Sequence, residues 1–296
     1  MDYIFVPNCE AMQEISTILF PTDFSESAQN AFRCCLRLAG KYNAEVHVLH
    51  VIYPEYEAMD LPVVATQATR AKVNAARVAI DSFINLGLSQ VGKDGNGKTP
   101  VITSDIEIGS AVNLITQIAE RDGIDLIVMG TKGEHGALER AFGSVTTGVI
   151  RRAPCTVWIV PEGMDKSNIH VAAYASNLTD ADPFYIWKVG KLLEPFNPVL
   201  HCVHVNIEHS VDHVLELADL GAIFGQHAPM LQINFHTLTG ASVADSLEEF
   251  ADTYDVDLMI MLTPHYNWLE GLFHRSQTRR MALDAKVPLL ILKEKE

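Results

Sequence analysis

The residues with the clearest chemistry in this chain are glycines at the end of an apolar run. Leu126-Ile127-Val128-Met129 has no polar alternation, the pattern of a strand covered on both faces. Gly130 ends the run, Gly133 follows, and Gly143-Ser144 open a new helical stretch. Glycines just past a strand let the backbone turn sharply and approach a ligand closely. Ser144 is placed to cap the next helix, whose first N–H groups point outward with partial positive charge. Strand, glycine loop and helix N-terminus together make a phosphate cradle. The spacing Gly130-x2-Gly133-x9-Gly143-Ser144 is neither GxxxxGK[ST] nor GxGxxG. Loop glycines also serve as plain turn residues, and the spacing alone leaves that reading open.

The elements around this loop alternate. Ser16 to Phe20 reads as a short strand ending at Pro21-Thr22-Asp23, with Ser25 the cap of a helix that runs to about Ala39 and stops at Gly40. Glu45 to Ile52 is a β-branched second strand. Between Ala65 and Leu86, apolar residues recur at three- and four-residue spacing, and Gly87 is expected to close that helix. Gly92 to Lys98 superficially resembles a phosphate loop, but no strand feeds it and no helix leaves it, so it reads as a surface connection. Pro100 to Ile108 is a third strand. A helix from Ser110 puts Val112, Ile115 and Ile118 on one face, and Leu126 to Gly130 and Thr156 to Val160 are the fourth and fifth strands. Strands alternating with helices imply right-handed βαβ units and a parallel sheet.

After Pro161-Glu162-Gly163 the pattern starts again. LHCVHVN at Leu200 to Asn206 echoes VHVLHVI at Val46 to Ile52, VDLMIML at Val256 to Leu262 echoes IDLIVMG at Ile124 to Gly130, and the final Val287 to Leu292 echoes Ala153 to Trp158. A repeat near half the chain is a domain duplication. The expected fold class is α/β: two tandem, doubly wound, parallel five-stranded sheets of Rossmann-like type, in domains 1–163 and 168–296. In such sheets ligands sit past the carboxyl ends of the strands where strand order reverses. If the first and fourth strands are neighbours, Pro21-Thr22-Asp23 faces Met129-Gly130, and Val51 borders the crevice. Asp23 can equally be a turn residue preceding Ser25.

Lys and Arg number 22 against 37 Asp and Glu, a formal charge of -15, which argues against a non-specific nucleic-acid binder. A small anion held by backbone N–H groups remains compatible with that charge. The odd count of five cysteines, scattered and without CxxC, does not make a disulfide framework. The N-terminus lacks a basic segment, no apolar run reaches transmembrane length, and a cytoplasmic location follows as the expectation.

These motifs resemble one family. The glycine stretch is similar to the ATP-binding signature G-x2-G-x9-G-[ST] of the universal stress protein family, with all four positions filled, and ILFPTDFS and VLHVI look like further family motifs. The resemblance covers almost the whole chain as two tandem domains. It implies an adenine-nucleotide site in which Pro21, Thr22 and Asp23 line the adenosine, and Val51 and Met129 contact the adenine. Gly130, Gly133, Gly143, Ser144 and Val145 would surround the ribose and phosphates. The implied ligand is ATP or AMP, with Mg²⁺ a candidate companion of a triphosphate. Family members dimerise through the last strand, so the implied assembly is a pseudo-dimer of the two halves, with a homodimer as a further option; no nucleic-acid or membrane partner is expected. The implied role is stress response or regulation. Two alternatives stand beside it: a slow ATP hydrolase or phosphotransferase using the same pocket, with at most weak turnover, and a ligand-free dimerisation scaffold.

No GxSxG and no catalytic triad or cysteine arrangement is evident, so no catalytic residue is assigned. Lys132, His135 and Arg140 lie between the glycines and are left outside the core site. His209 and His213 have the i, i+4 spacing of metal ligands, whereas His201 and His204 on one strand face opposite sides. No metal site is assigned. His50 and His204 occupy equivalent repeat positions, which favours a shared structural role. In the second half Leu262 and His265 replace Gly130 and Gly133, His274-Arg275 replace Gly143-Ser144, and Asp23 matches Ser176 approximately. The expectation is that only the first half binds nucleotide.

Overall fold

The computed structural model describes residues 14–53, 62–91, 99–131, 144–164, 168–207, 217–227, 232–262 and 287–293, with side chains of the second helix described from residue 69 onward. Their contacts group them into two compact units, residues 16–164 with 287–293 and residues 168–262 with 14–15. The expectations for Tyr3 to Val6, the Gly92 to Lys98 connection and the linker at Asp165 to Ser167 lie outside the described residues.

The first unit runs β1 (Thr17–Thr22), α1 (Glu26–Tyr42), β2 (Glu45–Ile52), α2 (Pro62–Val91), β3 (Ile102–Ile108), α3 (Ala111–Arg121), β4 (Leu126–Gly130), α4 (Ser144–Arg152) and β5 (Thr156–Val160). Its strands lie in the order β3-β2-β1-β4-β5, all parallel. Right-handed crossovers then place α1 and α2 on one face and α3 and α4 on the other; α1 packs beside α2 and α3 beside α4. The second unit repeats the plan with β6 (Val171–Ser176), α5 (Asp182–Leu192), β7 (Val199–Asn206), α6 (Leu217–His227), β8 (Ile233–Thr239), α7 (Val243–Thr253) and β9 (Leu258–Leu262). Its parallel order is β9-β6-β7-β8. The doubly wound α/β reading therefore holds in both halves. One strand differs from expectation in its grouping. β10 (Leu289–Leu292) is counted by its contacts with the first unit, where Leu289, Leu290 and Ile291 pair antiparallel with Ile159, Trp158 and Val157. β5 is buried along its whole length, and an apolar edge of that kind needs a covering strand.

Equivalent carboxylates fix the start of the first strand in each half. Asp125 Oδ2 accepts from Ser16 N (2.8 Å) and Thr17 N (3.0 Å), and Asp257 Oδ2 accepts from His170 N (2.9 Å) and Val171 N (3.2 Å). The residues after each matching helix also repeat: Gly123 (φ 62°) and Asp255 (φ 49°) are both left-handed.

Two glycines do not stop helices as their positions suggest. α1 passes through Gly40 and ends at Asn43, whose left-handed φ of 54° and N–H to the Ala39 carbonyl make the C-cap. α2 passes through Gly87 because the residue must be small. A Cβ there would lie 2.4 Å from Phe32 Cδ1, and the Phe32 ring is itself held between Phe20 and Phe83 at centroid distances of 5.0 Å each. Helix propensity alone makes Gly→Ala a gain of about 1 kcal/mol, whereas overpacking costs about 1–3 kcal/mol. Gly87→Ala is therefore expected to lower the melting temperature; a rise in a thermal scan would show that the α1–α2 contact relaxes freely.

Candidate functional site

β1 and β4 are paired in register at Ile18↔Leu126 and Leu19↔Ile127, with Asp125 N donating to the Thr17 carbonyl just before them. Beyond those pairs each strand keeps its outer partner, β1 with β2 as far as Thr22↔His50 and β4 with β5 as far as Gly130↔Val160. Backbone pairing between β1 and β4 therefore ends before Phe20-Pro21-Thr22 on one side and Val128-Met129-Gly130 on the other. It ends at the reversal of strand order, because β1 leads through α1 to β2 while β4 leads through α4 to β5 on the opposite flank. Extending the β1–β4 register brings Thr22 level with Gly130.

The lip on the β1 side is a tight, fully specified turn. Thr22 Oγ1 accepts from Phe24 N at 3.0 Å and Asp23 Oδ1 accepts from Ser25 N at 3.1 Å. Phe24 takes a left-handed φ of 66°, unusual for a bulky side chain. Its ring stacks on His50 at a centroid distance of 4.3 Å, and His50 Nδ1 lies 2.9 Å from the Thr22 carbonyl oxygen. A carbonyl only accepts, so Nδ1 carries the proton and donates. Ser25 then caps α1, its Oγ accepting from Ala28 N at 3.1 Å. Asp23 thus does serve the turn, through one oxygen of its half-buried carboxylate.

On the other lip Thr146 Oγ1 donates to the Gly130 carbonyl at 3.0 Å. That bond ties the first turn of α4 to the end of β4, beside the buried Thr131. Ser144 is exposed and is the first described residue of α4; the residues before it lie outside the described ones. The fold brings together Pro21, Thr22 and Asp23 with Met129 and Gly130. Ser144 and Val145 are the first described residues of the helix that Thr146 anchors, and Val51 lies near the end of β2 one strand away. Gly133 and Gly143, like Lys132, His135 and Arg140, lie outside the described residues. Phe24 and Thr146 were not singled out by motif: a left-handed phenylalanine has no composition signal, and Thr146 is an ordinary residue of an apolar helix.

The second unit copies the turn and changes what lies behind it. Ser176 Oγ accepts from Leu178 N at 3.0 Å, Leu178 has φ 58°, and His204 Nδ1 lies 2.9 Å from the Ser176 carbonyl. Ser176 therefore matches Thr22, and Asn177, not Ser176, matches Asp23. The shared structural role of His50 and His204 is borne out. Behind this turn Tyr174 and the fully buried Asp182 stand where the first unit has Phe20 and Ala28. Asp182 accepts from Tyr174 Oη (2.5 Å), Ser176 Oγ (3.1 Å) and Thr179 N (2.7 Å). Burial and the Asp182 carboxylate push the Tyr174 phenol well above its ordinary range. Cys34, Cys35 and Cys202 are buried and Cys155 half-buried, and none of these four is in a disulfide. Burial pushes the Cys35 and Cys202 thiols up, away from nucleophilic thiolates.

Residues 14–161 match the family model described as the universal stress protein family. The chain belongs to that family. Among curated relatives it is similar to a universal stress protein of Methanocaldococcus jannaschii, 29% identical over 154 residues that cover 48% of this chain and 93% of that one. The chain is similar in fold to a universal stress protein from Archaeoglobus fulgidus, with a TM-score of 0.70 at 18% identity, covering 96% of this chain and 98% of that one. A Pseudomonas aeruginosa protein of unknown function gives a TM-score of 0.53 at 15% identity, covering 96% and 94%. These last two likenesses show the fold. The length of 296 residues fits a tandem arrangement of universal stress protein units. Among the described residues no helix is long and apolar enough to cross a membrane, and no group of three or more metal-ligating side chains gathers. The His209–His213 pair lies outside those residues.

Proposed function

We propose that the first half of this chain, residues 1–163, is an adenine-nucleotide-binding universal stress protein domain, and that residues 168–296 form a degenerate second domain that supports it. The single observation that carries this reading is that pairing between β1 and β4 stops short of their carboxyl ends, at the reversal of strand order, before Thr22 and Gly130. The filled glycine signature around this point belongs to a family member. In this reading Asp23, with Pro21 and Thr22, faces the adenosine, and Val51 and Met129 flank the base. Gly130, Gly133, Gly143, Ser144 and Val145 hold ribose and phosphates by backbone N–H groups. The turn bonds at Thr22 and Phe24 and the Thr146–Gly130 bond hold the two lips in place without help from the ligand. The ligand is ATP or AMP; a triphosphate would bring Mg²⁺ with its own oxygens and water. The protein acts in the cytoplasm as a regulatory module in stress response, its two halves making a pseudo-dimer within one chain. The antiparallel β5–β10 pairing supports that assembly and, on its own, the alternative of a ligand-free scaffold.

Calorimetric titration of the full chain with ATP, ADP and AMP tests the reading. The expected outcome is one site per chain, unaffected by substitutions at His265 or Arg275. No heat at millimolar nucleotide would leave the scaffold reading standing, and two equivalent sites would overturn the assigned asymmetry.

A further inference from the structure

His47 on β2 and His201 on β7 occupy the same position of the repeat, and their surroundings have diverged. His47 Nδ1 meets Thr103 Oγ1 at 3.0 Å, and its Nε2 lies 3.5 Å from Asp105 Oδ2 on β3. The residue matching Asp105 is His236, fourth in β8 as Asp105 is fourth in β3. In the second unit His201 Nδ1 and His236 Nε2 are therefore hydrogen-bonded to each other at 2.8 Å. One ring must donate and the other must offer a lone pair. Phe250 and Tyr254 at the end of α7 close over both rings, with centroids 4.9–5.6 Å away, and stack on each other at 4.3 Å. His201 is 6% exposed.

We propose that the His201–His236 pair is a proton-operated latch that holds α7 against β7 and β8 when at least one ring is neutral and releases it when both are charged. A first added proton leaves an imidazole–imidazolium bond. A second removes the only lone pair in that bond and sets two cations against each other under two aromatic rings. In the first unit the same proton on His47 meets the Asp105 carboxylate and is attracted, so the response belongs to the second unit alone.

The groups facing the pair give the direction. From β7 and β8 these are the two imidazoles, and from α7 they are the Phe250 ring and the Tyr254 phenol. The α7 carboxylates Glu249 and Asp252 and the neighbouring Asp255 are exposed. Burial holds both imidazoles below the usual histidine range, and at His201 the facing His236 adds to it. An open α7 thus binds more protons than a closed one. The stabilisation is complete above the unfolded histidine value of about 6.5 and is lost as pH falls from there through the depressed folded values.

Hydrogen–deuterium exchange on the full chain at pH 7.5 and 5.0, corrected for intrinsic rates, tests this. Protection of α7 is expected to fall at least about tenfold, the equivalent of one unit of pKa difference, while α3 in the first unit keeps its protection. In His236→Asn, whose side chain cannot charge, the pH dependence of α7 should shrink to what the buried His201 contributes alone. Equal loss in α3 and α7, no loss in α7, or an undiminished loss in His236→Asn would overturn the proposal. Imidazole NMR on the unmodified chain decides the matter independently of the variant's folding: the second of the pair's two protonation steps should fall below about 6.5, and a second step at or above that value would contradict the latch.

Discussion

Replacing Gly130 with valine is expected to abolish nucleotide binding while leaving the fold intact. Gly130 is the last residue of β4, and its carbonyl is held by Thr146 while its edge toward β1 lies beyond the paired residues. A branched side chain at that lip would occupy the space where, in the proposed site, backbone approaches phosphate and ribose. The expected loss is at least about a hundredfold in affinity, or roughly 2.8 kcal/mol. Stability should change far less, because Gly130 is half-exposed and a strand position tolerates valine well. Titration calorimetry beside a thermal scan separates the two effects. Retained affinity, or a collapse in melting temperature that accounts for the lost affinity, would contradict the assignment of Gly130 to the binding lip.

The second large effect belongs to stability. Asp182→Ala should destabilise the second unit by about 3 kcal/mol or more, because it strands buried partners that now donate to the carboxylate. The Tyr174 hydroxyl, fully buried, would suffer most. Adding Tyr174→Phe to Asp182→Ala should recover much of that loss. The double variant recreates the pair that the first unit already uses, Phe20 with Ala28, both buried without a charge. Replacing both partners of a buried polar pair by apolar groups is often close to neutral, whereas removing one is not. Denaturant unfolding of the two single variants and the double variant gives the coupling. If Tyr174→Phe gives no recovery, the Tyr174–Asp182 bond is not what makes the first change costly.

The parts of this fold that could be read from residue order are those set by a single local rule. β2, β4 and β5 have the expected bounds because unbroken apolar or β-branched runs need no partner to be recognised. Helix ends were less legible because glycine carries two meanings. Gly40 and Gly87 look like stops, yet one is passed over for Asn43 and the other is a packing contact with Phe32. Pro21, Thr22, Asp23, Met129 and Gly130 could be proposed for the site because their motif is written in the chain. The end of β1–β4 pairing after Leu19 could not, since strand pairing is a property of two distant segments. The one-residue error that set Asp23 against Ser176 has a similar cause. The paired bonds His50–Thr22 and His204–Ser176, with the matching turns at Phe24 and Leu178, fix the register between the halves. Asp182 escaped notice because an acidic residue opening a helix is ordinary, and its burial is decided by Tyr174 eight residues earlier on a different element.

Native mass spectrometry of the full chain with ATP or AMP, compared with Gly130→Val, tests the central claim most directly. The expected spectrum shows one added nucleotide mass per chain in the unmodified protein and none in the variant. Two nucleotides per chain, or one that persists in Gly130→Val, would contradict a single site between β1 and β4.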